Sequence, residues 1–530
     1  MAKVKSTSML FSLAVVLPIL LFQPFAATVV IPPEEGDWII REPTTVIDQT
    51  IIMNGNIKVY SILTLEKVEL YMNCKENRQY KIYVAPEGEI ILHDKTLITS
   101  YDGEHLYDFK VKGSIKMENS EISKAYILDV SENSRATIRE SYLHDNIYAL
   151  YLRGTSEAII TDNTFSSNQK AVLLSNADGN SLTGNLFKKN YIGLYLRNSH
   201  NNVISKSSFE GNTYGISINR DSSKNIFEKL EMNGNTKAIL VKNSRNNSFD
   251  EISAVKNYIG LYFYSSYVNS IKNSFFGENT YGIYIYNKEG RIRELIDGEL
   301  SAVEIKPVKE EILPKAGNIF EDVTLESNDK GAVVKKSVGN FFKNMKVKNN
   351  RIGIYFYYAV GNSVADSAFT ENDYGIYFRK SKGNTLENIS SEQNTKSILL
   401  IKSYFNKFVQ ITSAKDRIGI YLKDGSNLNT ITKSSFNEDA CSGIYINASS
   451  GNLITGNDIG GDGDKSIGVK LTKGSTRNII QKNIIHHHRY GIYMDKESHK
   501  NIVKPNEFHD NEYDIYYEGG GEEKEIFRSK

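Results

Sequence analysis

Apolar residues in this chain come in short alternating runs of three to five positions, separated by clusters of Asn, Ser and Gly. Alternation that brief predicts two or three short strands bounded by turns, and no stretch is long enough to place a helix in every unit. The pattern recurs with a short phrase, an aromatic or polar residue followed by Gly-Ile-Tyr. Its small anchor residue falls at Ala149, Ala171, Gly193, Gly215, Ala238, Gly260 and Gly282, and again from Gly331 through Gly353, Gly375, Ser397, Gly419, Gly443, Gly468 and Gly491 to Asp514. Apart from the jump between 282 and 331, successive anchors are 22 to 25 residues apart. A fixed period of this size means one unit stacked many times, because a single unit cannot bury its own apolar face. Leucine-rich and helical-hairpin repeats need a helix or a long leucine frame. An all-β parallel β-helix with about 22 residues per coil remains, each coil rising by about 4.8 Å.

Two asparagine columns accompany the anchors. One lies nine or ten residues after them (Asn180, Asn202, Asn225, Asn247 and onward to Asn501), the other three residues before (Asn146, Asn168, Asn190, Asn212 and onward to Asn511). Asparagine tolerates left-handed backbone, and stacked amides can bond from coil to coil, so both columns read as structural. Phe165, Phe187, Phe209, Phe276, Phe369 and Phe508, each six residues before an anchor, predict a stacked interior aromatic column. The residue before the anchor cycles Ile192, Tyr214, Lys237, then Ile259, Tyr281, Lys330, then Ile352, Tyr374, Lys396, so three coils form the duplicated unit.

The ends and one interior segment break this regularity. Lys3 and Lys5, an apolar stretch from Met9 to Phe22, and Ala26 and Ala27 have the layout of a secretory signal over residues 1–27. Residues 28–115 show strand-like runs without the regular anchor and predict a cap with irregular first coils. Regular repeats follow over 116–516, with a polar tail at 517–530. Residues 288–314, charged and containing Asp297-Gly298, predict a hairpin projecting from the rod. No later segment reaches 18 consecutive apolar residues, so no membrane span is expected beyond the N-terminal signal. The two cysteines, Cys74 and Cys441, are too many coils apart to pair. With 64 Lys and Arg against 63 Asp and Glu, no net field attracts nucleic acid.

Asn190 to Ile204 and Asn372 to Leu386 carry the frame Asn-x-x-Gly-Ile-x-Leu-x-x-Ser-x-x-Asn-x-Ile nearly complete. In this they resemble the NosD-type and CASH group of proteins, over roughly residues 38–516. The resemblance implies a right-handed, single-stranded parallel β-helix solenoid of the pectin-lyase-like kind, placed in the periplasm, at the cell surface or secreted. The group includes polysaccharide lyases, epimerases, surface carbohydrate binders and an accessory protein for copper delivery to nitrous oxide reductase. Its frame consists of structural positions, so it implies fold more firmly than function.

In such a coil the first and third residues after the anchor point inward and the second points outward. That outward position is rich in tyrosine, and Tyr195, Tyr262, Tyr284, Tyr355, Tyr377, Tyr421 and Tyr445 are the candidate carbohydrate contacts. The bland alternative is tyrosine as a good strand residue whose stacking stabilises the sheet. No acid pair flanks the row in mid-rod, so no catalytic residue is assigned. In the last coils Asp439, Asp464, His486, His487, His509 and Asp510 fall near equivalent positions as candidate metal ligands, with copper, zinc or calcium as the ions considered. A polar turn on the rod exterior is the competing explanation. The expectation is therefore an extracytoplasmic β-helix that binds a polysaccharide or cell-envelope polymer without turning it over. A polysaccharide lyase, epimerase or hydrolase, and a NosD-like copper accessory protein, are the alternatives. Oligomeric state is left open.

Overall fold

The computed structural model describes residues 32–155, 157–288 and 317–519, the side chain of Asp464 apart. The signal-like segment 1–27, nearly all of the 288–314 insertion and most of the tail lie outside them. Among the described residues there are 54 strands and no helix. The strands wind about 20 turns of a parallel solenoid. A regular coil contributes three strands, for example Tyr148–Arg153, Ile159–Thr161 and Thr164–Ser166. Each pairs in parallel with its counterpart one coil on, Tyr148 with Lys170, Ile160 with Leu182 and Phe165 with Phe187. Winding begins at Trp38, which aligns with Ile57 and through it with Ile82. The rod passes the 289–316 segment without a break, since Tyr281 aligns with Lys330 and Asn269 bonds Asn318.

Alternation along each strand sends one set of side chains into the rod. At the expected phenylalanine column Phe165, Phe187 and Phe209 stack with ring centroids 5.1 and 4.5 Å apart. Beyond Phe209 the same row continues through Met232 and Ala254 before Phe276 returns, so the column is mixed rather than continuous. Further buried pairs, Phe227 with Phe249 and Phe356 with Phe378, fill other sheets.

Both asparagine columns are buried ladders. Asn394 Oδ1 accepts from the backbone N–H and the Nδ2 of Asn372 at 2.8 and 2.9 Å, while Asn372 Nδ2 also donates to the carbonyls of Val347 and Thr370. A third ladder, absent from the two columns read in the sequence, runs from Ser141 through Asn163 and Asn185 to Ser207. The asparagines are not themselves the left-handed residues. That backbone belongs to the residue just before, whether Gly339 (φ 67°), Glu371 (φ 55°) or even Val268 (φ 57°). Left-handed geometry strains a β-branched residue, and the ladder bonds that follow hold the turn in place.

The anchor needs room rather than a special φ. A Cβ on Gly353 would stand 2.4 Å from the carbonyl oxygen of Gly375 in the next coil and 2.8 Å from Val347 Cγ1. Glycine dominates there because the next coil's carbonyl leaves little room for a side chain at that point.

Candidate functional site

The outward position two residues after each anchor forms one register row along the rod. It runs Tyr195, Ser217, Leu240, Tyr262, Tyr284, Val333, Tyr355, Tyr377, Leu399, Tyr421 and Tyr445. The predicted tyrosines thus share a face, but as pairs separated by an aliphatic residue rather than as an unbroken stripe, and Tyr195 stands between Leu173 and Ser217. Ring centroids are 5.2 Å apart for Tyr262 and Tyr284, 4.9 Å for Tyr355 and Tyr377, and 4.5 Å for Tyr421 and Tyr445. All seven are half-buried. Burial pushes the Tyr262 and Tyr421 phenols up to about 12 and raises those of Tyr284, Tyr355 and Tyr377. They therefore stay neutral hydrogen-bonding groups at physiological pH.

Two further rows flank the tyrosines. The row before the anchor carries Lys170, Lys237, Lys330 and Lys396, three coils apart. The row four residues after it carries Arg153, Arg197, Lys242, Lys335, Arg379 and Lys423. No carboxylate occupies any of the three rows between Tyr148 and Thr472. Each lysine of the first row lies over a ring of the preceding coil, Lys237 at 4.9 Å from Tyr214, Lys330 at 5.0 Å from Tyr281 and Lys396 at 4.8 Å from Tyr374.

At the C-terminal end a cleft of about 500 Å³ is lined by Glu438, Asp462, His487, Arg489, Asp510 and Glu512, with His488 at its floor. Glu438, His487 and Asp510 all have left-handed backbone, at φ 54°, 59° and 52°, which turns them outward from the same corner. His486 Nδ1 is 2.8 Å from His487 Nδ1, and His486 Nε2 is 3.0 Å from Asp458 Oδ1. His487 Nε2 is 3.7 Å from Asp510 Oδ2. His509 aligns with His486 one coil on. Asp439 is elsewhere: it is buried in the asparagine ladder, accepting from the backbone N–H of Asp416 and approached by the Ser413 hydroxyl. Its coil is 24 residues long, and one of its two extra residues falls between ladder and anchor, so counting back from Gly443 picks a ladder position instead of the outward turn. The Asp464 side chain is outside the described set.

Sequence reasoning did not single out His488, which does a ladder residue's work. Its Nε2–H donates to the Ile459 carbonyl at 3.1 Å and its Nδ1 accepts from Ser466 at 3.0 Å. Burial holds its pKa down at about 4. Nor did it find Glu66, His93 and Asp94, whose ligand atoms lie within 4.8 Å of one another. Glu66 and His93 are aligned on neighbouring coils, but the first coils lack an anchor from which to count.

Parallel winding and side-chain ladders together define a class, the β-solenoid, and a family model described as the right-handed beta helix region matches residues 171–294. A second, described as periplasmic copper-binding protein (NosD), matches residues 49–229 and 315–485. The chain belongs to the NosD family. Among curated proteins none matches. Similar solved structures include the A-module of a mannuronan C-5 epimerase from Azotobacter vinelandii, at 10% identity and TM-score 0.34, covering 79% of this chain and 91% of that one. A double mutant of a periplasmic alginate epimerase matches at 12% identity and TM-score 0.21, covering 79% and 77%. The tailspike of Escherichia coli bacteriophage HK620 matches at 9% identity and TM-score 0.26, covering 80% and 71%. Likeness this slight bears on neither ligand nor chemistry.

The family description raises the question of copper. The His486–His487 pair fits such an ion. The nitrogens that would hold it are His486 Nδ1 and His487 Nδ1, 2.8 Å apart, and imidazole suits copper and zinc alike. Asp458, hydrogen-bonded to the outer nitrogen of His486, supplies the support that fixes ring orientation and basicity in metal-bound histidines, while Asp510 stands 3.7 Å from that of His487. Among the described residues no helix is long and apolar enough to cross a membrane.

Proposed function

We propose that this protein acts outside the cytoplasm and binds a polysaccharide or cell-envelope polymer along the anchor sheet without turning it over. The observation that carries the reading is the single register row of half-buried tyrosine pairs, Tyr262 with Tyr284, Tyr355 with Tyr377 and Tyr421 with Tyr445. Flat rings fixed by their neighbours offer apolar area and phenolic groups at little entropic cost, which suits sugar rings lying along a rod. General acid–base chemistry on glycans needs two carboxyl groups within a few ångströms of the bond cleaved. The rows around the tyrosines supply none. Co-sedimentation of the mature chain with insoluble polysaccharides and cell envelopes tests the reading, beside a Tyr355→Ala, Tyr377→Ala, Tyr421→Ala variant. Binding should weaken about tenfold or more in the variant. Equal binding by both proteins removes the tyrosines from the site, and no binding by either removes the proposal.

A second reading rests on the C-terminal histidines. His486 and His487 would hold a copper or zinc ion through Nδ1, with Asp458 orienting His486 and Asp510 nearby as a further charge. The expected result is one metal per chain after incubation and desalting, lost in His486→Ala with His487→Ala while the melting temperature is kept. Metal-free wild-type protein would end this reading.

A further inference from the structure

We infer that the polymer bound along the anchor sheet is a polyanion, a glycan bearing carboxylate or sulfate groups, gripped by the lysine rows as well as by the rings. This rests on the polymer-binding reading above and specifies the chemistry of its ligand. The chain as a whole is balanced, with 64 basic and 63 acidic residues. Yet every charged residue in the three outward rows of this sheet between Tyr148 and Thr472 is basic. A random draw from a balanced composition does not produce such a face, and the acids displaced from it lie on the other sheets and the turns.

Carboxylates reach the face only at its margins, Asp129 to Arg153 at 2.7 Å, Asp329 to Lys330 at 2.9 Å and Asp424 to Lys423 at 3.6 Å. Lys237, Lys242, Lys335, Arg379 and Lys396 have no ion-pair partner among the described residues. Around Lys396 the positive charges prevail: burial first, then Arg417, pull its ammonium below the usual lysine range, with Asp373 opposing and Lys423 adding to the effect. An anion laid there relieves that repulsion. The lysines before the anchor recur every third coil, or about 14 Å at about 4.8 Å per coil. Each is steadied over a tyrosine ring of the coil before it, so these charges are already ordered when a ligand arrives.

Binding of the full chain to dextran sulfate, polygalacturonate, uncharged dextran and single-stranded DNA, at low salt and near 0.5 M salt, tests this. A Lys237→Gln, Lys330→Gln, Lys396→Gln variant is run alongside, with a thermal melt to verify its fold. The expected result is binding to both charged glycans but not to dextran, weakened about tenfold by the triple substitution and by salt. Equal binding to dextran and dextran sulfate, or a variant that binds as well as wild type, overturns the polyanion assignment and leaves polymer binding standing. Tighter binding to DNA than to either charged glycan overturns it in favour of nucleic acid. Failure with every polymer here and with whole envelopes removes both readings together.

Discussion

A few single residues show how tightly the interior is specified. Asp416 and Asp439 stand in a ladder otherwise built of amides, and Ser413 has one hydroxyl proton to offer both carboxylates. Burial raises the pKa of each, that of Asp439 far above the ordinary carboxylate value, with Asp416 adding repulsion. A carboxyl whose folded pKa exceeds its unfolded one keeps more protons in the native state, so stability falls as pH rises from the unfolded value toward the folded one. Asp439→Asn restores the missing amide. It should stabilise the C-terminal coils by about 1–3 kcal/mol at pH 7, and the gain should shrink toward pH 4. Melting curves at the two pH values measure it, and a gain independent of pH would mean that the carboxyl is not the cause. His488 runs the other way. A pKa depressed to about 4 makes its contribution complete at neutral pH and lost as pH falls from the ordinary histidine value through about 4.

At the scale of the element, the unit of stability is the ladder rather than the strand. Strands of three residues such as Thr164–Ser166 cannot hold themselves, and the amides on either side tie each turn to the next coil. Asn372→Ala would leave the Asn350 backbone N–H, the Val347 carbonyl and its neighbours without partners in a buried wall. A loss of about 3 kcal/mol or more is expected. It should appear as faster amide exchange confined to the coils around residues 347–394, because repeats couple mainly to their neighbours. Unchanged exchange in those coils would count against the ladder's role. This level was the most legible in the sequence. One glycine-led phrase fixes the pleat, and from Gly193 to Gly419 anchors 22 or 23 residues apart, save for the one insertion, carry the phase to every tyrosine and asparagine. Legibility fails where coil length changes. Beyond Gly419 an added residue between Asp439 and Gly443 shifts the count by one, so an inward acid and an outward one cannot be told apart by position. His486, His487 and His488 are adjacent and chemically identical, yet backbone handedness at His487 sends two to the surface and one inside. The third ladder was obscured because serine and asparagine share it and apolar residues such as Leu230 and Ile252 interrupt it.

On the scale of the whole molecule, charge balance conceals segregation. A composition that sums to +1 is compatible with a face on which every charge is positive, and only the register of stacked coils brings those residues together. The rod also separates two surfaces, the basic aromatic sheet in its middle and the histidine-carboxylate cleft at its C-terminal end. The polymer and metal measurements are therefore independent, since the variants for one touch no residue of the other.

The three-coil cycle of isoleucine, tyrosine and lysine before the anchors is not the same read backwards. A traveller from the N-terminal end meets ring, then ammonium, then a gap where an isoleucine such as Ile259 or Ile352 is buried; from the opposite end the order is reversed. The sheet is thus a track with a heading. If the bound polymer is a sugar chain, which itself has a reducing and a non-reducing end, one of its two senses would match the sheet better. Rods laid side by side on one strand would all point the same way, giving a coated polymer a polarity that neither component displays by shape alone.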